Sequence, residues 1–287
     1  MTRKFTFNKI YVIESLNENE DQLTGSLLYN DLLRWKSFKR MDLSSELVKV
    51  HNKNDFFQLF ERIFIECTVE KIFPMLHFEI HGDKLKKGLI LTSGEIIEWN
   101  NLYEQLVKIN NAIGNHLFIT LAVCYGAYLM QLIQIYKPSP FWGIIGSFEE
   151  IQQSDILIRY NEFYNEFLDS LNLNSALEKL HKANPTLPSN YRFINSEETF
   201  QKIYKKYISE RFTHDALNQR TLQIITNSEV PIQNRSHKRK FSKDFKKKLM
   251  STRKYYFKKH KSIFFMTKEF PENKTRFKIK LTQANTG

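Results

Sequence analysis

The 287-residue chain holds two cysteines, Cys67 and Cys124. Two thiols do not make a disulfide framework, and a reducing cytoplasm is where such thiols stay available for chemistry. No uninterrupted apolar run approaches the ~18 residues that a membrane-spanning helix needs, so no membrane association is expected. The opening Met1-Thr2-Arg3-Lys4-Phe5-Thr6-Phe7-Asn8 lacks a signal-peptide core, and export is not expected. There is no Gly-rich phosphate loop of either common type and no repeat of fixed period. His77 and His81 stand four apart on a predicted strand, with no third or fourth ligand in view, so neither a metal nor another cofactor is expected.

Acidic residues are scarce in one region. Between Asn234 and His260 twelve lysines and arginines face Asp244 alone, which is nearly the whole formal net charge of +12. The first 233 residues are therefore close to neutral, a globular body with a basic segment added. Phe241, Phe245, Tyr255, Tyr256, Phe257, Phe264 and Phe265 interleave with the charge and argue that the segment folds at least partly. From Arg235 to Lys259 it has two uses open to it. One is nucleic-acid binding by phosphate contacts and stacking; the other is docking to an acidic partner or onto the body.

Apolar periodicity predicts strands over residues 9–16, 46–51, 75–81, 117–124 and 141–147. Helices are predicted over residues 23–38, 55–71 (capped by Asn54 and stopped by Pro74), 102–113, 127–136, 149–171 and 174–183. Ser93-Gly94 between two apolar runs reads as a hairpin. Strands alternating with helices give an α/β fold, a mostly parallel sheet flanked by helices. The body is expected to span residues 1–185. Residues 186–287 then form a smaller C-terminal region, with helices over 200–211 and 215–225 and the basic segment beyond 229.

Two strands end in reactive side chains, Met75-Leu76-His77-Phe78-Glu79-Ile80-His81-Gly82 and Leu117-Phe118-Ile119-Thr120-Leu121-Ala122-Val123-Cys124-Tyr125-Gly126. Carboxyl ends of strands are where open α/β sheets place their ligand crevices. His77, Glu79 and His81 share one strand face. Cys67, on the apolar face of a helix, reads as core, and His77 as packed or hydrogen-bonded under the sheet. His51 reads as structural, and His116 lies at a strand start away from the crevice.

With the hairpin leading to Trp99 and the strand at Trp142–Gly146, this order of features resembles the caspase-like cysteine peptidases. The likeness is nearest to the bacterial CHAT branch, related to caspases and separase, and covers about residues 9–180. The caspase signature Gln-Ala-Cys-x-Gly is replaced here by Ala122-Val123-Cys124-Tyr125-Gly126, which excludes the classical caspase subgroup. The resemblance implies a caspase-like sheet, Cys124 as nucleophile and His81 as general base and later acid. It implies the backbone amides of Gly82 and Cys124 as oxyanion donors, and a helix starting behind Gly126 to favour a thiolate. It further implies a protein substrate, an activating protein partner, and a role as a regulated effector in stress or antiviral defence. Asp155, Glu149 and Glu150 stand where a pocket for a basic substrate residue would need an acid, whereas Lys137 and Arg159 have no special context for an acidic one. The competing reading is an inactive caspase-like scaffold that binds nucleic acid or an acidic partner through the basic segment.

Overall fold

The apolar runs become the inner strands of one sheet. The computed structural model describes residues 5–19, 22–227 and 234–280. The chain divides into two compact units, Met1–Ile133 with Pro138–Ser196, and Gln134–Lys137 with Glu197–Gly287.

In the first unit the strands are β1 (Lys9–Ser15), β2 (Ser44–Lys49), β3 (Pro74–Gly82), β4 (Gly88–Ile90), β5 (Ile96–Glu98), β6 (Phe118–Ala122), β7 (Gly143–Ser147) and β8 (Tyr191–Asn195). The sheet order is β2-β1-β3-β6-β7-β8. All neighbours along it are parallel except β8, which runs antiparallel to β7. β4 and β5 form the expected hairpin, its turn at Gly94 (φ 83°), and β4 pairs antiparallel with the end of β3. β1, β3 and β6 are buried along nearly their whole length, as parallel strands covered on both faces must be.

Helix α1 (Thr24–Leu28) passes through a π-helical turn, Tyr29–Leu33, into α2 (Arg34–Phe38). Then come α3 (Lys53–Val69), α4 (Trp99–Ala112), α5 (Gln153–Ser170) and α6 (Leu173–Lys182). Tyr164 of α5 shares a hydrogen bond with Thr120 of β6 (2.9 Å), so α5 covers the face that carries His77 and Thr120. Phe60 of α3 stacks on Phe78, one residue out of phase, so α3 covers the other face. The result is an α/β fold whose mostly parallel mixed sheet is flanked by helices, consistent with a caspase-like architecture. On the α5 side Phe5, Phe118, Trp142, Phe163 and Phe167 stack into one aromatic layer. Burial of each such ring contributes roughly 2–3 kcal/mol by area removed from water.

Three local readings change. The cap of α3 is Asn52, whose side chain accepts from the Asp55 amide (3.0 Å), because the helix begins two residues earlier than the apolar spacing suggests. Asn52→Ala should lower stability by about 1 kcal/mol, measured as a shifted urea midpoint at constant m-value. After Cys124 the chain forms a short 3-10 helix, Gly126–Leu132, in place of the α-helix over 127–136. Finally, the sheet does not end near residue 185: β8 adds an edge strand beyond it, and the first unit runs to Ser196.

The second unit contains α7 (Ser196–Arg211) from Glu197 on, with α8 (His214–Thr226) and α9 (Arg235–Phe264). The basic segment is thus a helix of 30 residues. Part of its aromatic complement packs inward: Phe257 lies 5.0 Å from Tyr204 and 5.9 Å from Phe200, and Phe264 5.3 Å from Phe200, between ring centroids.

Candidate functional site

Sheet register decides whether His81 and Cys124 can meet. β3 and β6 pair from Met75↔Phe118 to Glu79↔Ala122, with a constant offset of 43 residues. β6 ends at Ala122 and Cys124 follows in a turn; the same register extended by two residues would set His81, near the end of β3, level with Cys124. His81 is exposed and Cys124 half-buried, so the pair opens to solvent rather than into the core.

Gly82 explains how closely the two ends approach. A Cβ there would fall 1.8 Å from the carbonyl oxygen of Cys124 and 2.7 Å from its carbonyl carbon. No side chain fits. The Asp83 amide donates to Gly88 O (2.9 Å), which turns the Gly82 amide to the opposite edge of β3, where β6 ends.

The turn around Cys124 is equally constrained. Tyr125 sits in the left-handed region (φ 61°, ψ 14°), at a cost of order 1–3 kcal/mol for a side-chain-bearing residue. Six described non-glycine residues have positive φ. Lys71, Asn115, Leu171 and Met266 follow helix ends; Lys86 and Tyr125 do not. These two touch: the Lys86 ammonium lies 5.1 Å from the Tyr125 ring centroid and 4.9 Å from that of Tyr128. A Cβ on Gly126 would lie 2.9 Å from Leu121 Cβ, so the 3-10 helix starts hard against β6. Seven residues of 3-10 geometry align fewer peptide dipoles than the α-helix the sequence suggests.

The loop after β7 closes the other side. Cys124 Sγ accepts from the Ile151 amide (3.3 Å) and lies 3.8 Å from the Ile151 carbonyl oxygen. The Tyr125 amide donates to Glu149 O (3.1 Å), and the Tyr125 hydroxyl donates to Glu150 Oε1 (3.0 Å). That last bond holds the phenol's pKa above its ordinary value. Glu149 and Glu150 are thus beside Cys124, both exposed. Nothing in the spacing of the sequence points to Lys86 or Ile151, whose parts are set by loop paths. Cys67 is the opposite case: it is buried on α3, where burial first and the Glu66 charge second push its thiol up to about 12.

Further down β3, on the sheet face that His77 and Glu79 share, lies a buried polar network. His77 is fully buried, its Nδ1 2.6 Å from Thr120 Oγ1 and its Nε2 2.9 Å from Glu79 Oε1. Thr24 donates to Glu79 Oε2 (2.7 Å), and Glu14, level with Glu79 on β1, accepts from the Ser26 amide (2.7 Å) and hydroxyl (2.5 Å). His77 is therefore structural, and the chain entering α1 is pinned to the ends of β1 and β3. A Cβ on Gly25 would meet Glu79 Cγ at 2.8 Å, so only glycine lets that helix down onto the carboxylates.

Asp155 is not an open acid. It is buried on the first turn of α5, takes the Arg159 Nε–H at 2.5 Å and accepts from Asn184 (2.8 Å). Arg159, fully buried, donates from Nη1 to the carbonyls of Leu180 and His181 and from Nη2 to that of Leu187. The acid is consumed in clamping α6 and the segment after it. Removing it leaves a buried guanidinium without its counter-charge, so Asp155→Ala should cost about 3 kcal/mol or more in a denaturant titration. His51 Nδ1 is 3.4 Å from Thr92 Oγ1, and His116 Nδ1 accepts the Thr6 amide at the amino end of β6 (2.8 Å). Among the described residues no three His, Cys, Asp or Glu side chains gather as a metal-binding group, and no helix is long and apolar enough to cross a membrane. No protein-family model matches the chain, and no curated protein matches it in sequence.

Proposed function

We propose that this protein is a cysteine endopeptidase of the caspase-like class, working through a Cys124–His81 dyad. The observation that carries the reading is the β3–β6 register, with the steric requirement for Gly82 against the Cys124 carbonyl. In the proposed reaction His81 takes the thiol proton as Sγ attacks the scissile carbonyl carbon. The carbonyl oxygen becomes an oxyanion facing the amides of Gly82 and Cys124, each donor worth about 3 kcal/mol of barrier. Collapse breaks the C–N bond, His81 hands its proton to the leaving amine, and a thioester remains. Water, deprotonated by His81, then releases the acid and restores the thiol.

The exposed Glu149 and Glu150 beside the nucleophile favour a basic residue on the substrate, a preference that a positional peptide library would read. The resemblance adds a protein substrate, an activating protein partner and a defence or stress role in a reducing cytoplasm. The test is a peptidyl acyloxymethyl ketone applied to the folded protein, with adducts located by mass spectrometry. Modification of Cys124, lost in His81→Ala and absent from Cys67, is the expected result. Labelling that ignores His81, or that falls equally on both thiols, overturns the reading.

A further inference from the structure

Helix α9 carries thirteen of the chain's lysines and arginines and one acid, Asp244, so it holds a charge equal to the whole formal excess of +12. Lys240, Lys243, Lys247, Lys254 and Lys258 follow one another at intervals of three, four, seven and four residues. At 100° per residue they fall within about 60° of a single line, and at 1.5 Å per residue that line is about 27 Å long. All five are exposed, and none has a carboxylate partner among the described residues. Lys243–Lys247 and Lys254–Lys258 are like-charge neighbours four apart, each destabilising an isolated helix by a few tenths of a kcal/mol. On the helix itself Asp244 is the single acid set against the stripe.

We propose that the outward face of α9 binds nucleic acid through its phosphates. A straight row of point charges fits a uniformly charged polymer, and about 27 Å of duplex presents roughly eight phosphates per strand. A helix that lies in a membrane surface inserts an apolar face beneath its basic one. Here Phe257 and Phe264 are buried against Phe200 and Tyr204 of the same unit instead. The stripe contains only lysines, without the planar forks of Arg, Asn or Gln that read base edges, so binding is independent of sequence. This does not rest on the peptidase reading: Cys124→Ala binds as the wild type does.

The test uses the full chain and fluorescence anisotropy with a 30-base-pair DNA duplex, a 30-nucleotide RNA and phosphatidylserine vesicles, between 50 and 200 mM salt. Five lysine–phosphate contacts give a slope of log K against log salt of about −4.5, or roughly 500-fold weaker duplex binding across that range. The quintuple variant K240Q/K243Q/K247Q/K254Q/K258Q flattens the slope to near zero at unchanged helix content. Replacing the same five by arginine retains binding, which separates charge from folding. Unrelated DNA competes as well as the probe. An unchanged slope in the glutamine variant overturns the proposal, as does a strong sequence preference or binding to vesicles without binding to either nucleic acid.

Discussion

Cys124→Ala is expected to reduce peptide cleavage by about 10⁶-fold, the size of effect seen when a protease nucleophile is removed, and to leave the fold in place. The side chain is half-buried at a strand end and little volume is lost, so the stability cost should be about 1 kcal/mol or less. His81→Ala should fall to the same residual rate, and the double variant no lower, because members of one catalytic unit are not additive. Turnover of a fluorogenic peptide by the two single variants and the double variant measures this. Full cleavage by Cys124→Ala sinks the peptidase reading. Full cleavage by His81→Ala moves the base elsewhere, and the structure narrows the choice. His77 is enclosed between Thr120 and Glu79, which leaves the exposed His51.

What was legible in the sequence was whatever the core dictates. Strands β1, β3, β6 and β7 are apolar because both their faces are covered, and that signal survives without knowing the partners. That the His81 and Cys124 strands lie side by side could be anticipated, but the offset of 43 residues between β3 and β6 is a matter of how far one strand is shifted along the other, which apolar runs do not fix. β8 was not seen. Tyr191-Arg192-Phe193-Ile194-Asn195 is an edge strand with one exposed charge, set just after Pro185 and Pro188, so its pattern is weak. The place of Asp155 after β7 suggests an open pocket acid; what the sequence does not show is that Arg159, one helical turn on, is buried with it. Burial makes this pair structural. The role of Glu14 depends on Ser26 descending onto it, a matter of loop path that the sequence does not show.

The second large effect is expected at Gly82, where the fold and the proposed chemistry are the same contact. Gly82 is not among the glycines with positive φ, so alanine there meets no backbone penalty of its own and its effect is purely steric. The added methyl would sit 1.8 Å from the Cys124 carbonyl oxygen. An ordinary contact needs about 3.5 Å, so the ends of β3 and β6 must part by more than an ångström. That strain should cost about 2–3 kcal/mol of stability. A displacement of this size between nucleophile and base is worth about 10²-fold in rate, so kcat/KM should fall by at least that much. The decline should also appear in slower alkylation of Cys124, which needs no substrate. Gly94→Ala is the control: nothing lies within 4 Å of its Cβ, but its φ of 83° is unfavourable for alanine. It should lose about 1 kcal/mol of stability and none of the Cys124 reactivity. If Gly82→Ala keeps wild-type stability and alkylation rate, the two strand ends are not held in contact, and the dyad loses its main structural support.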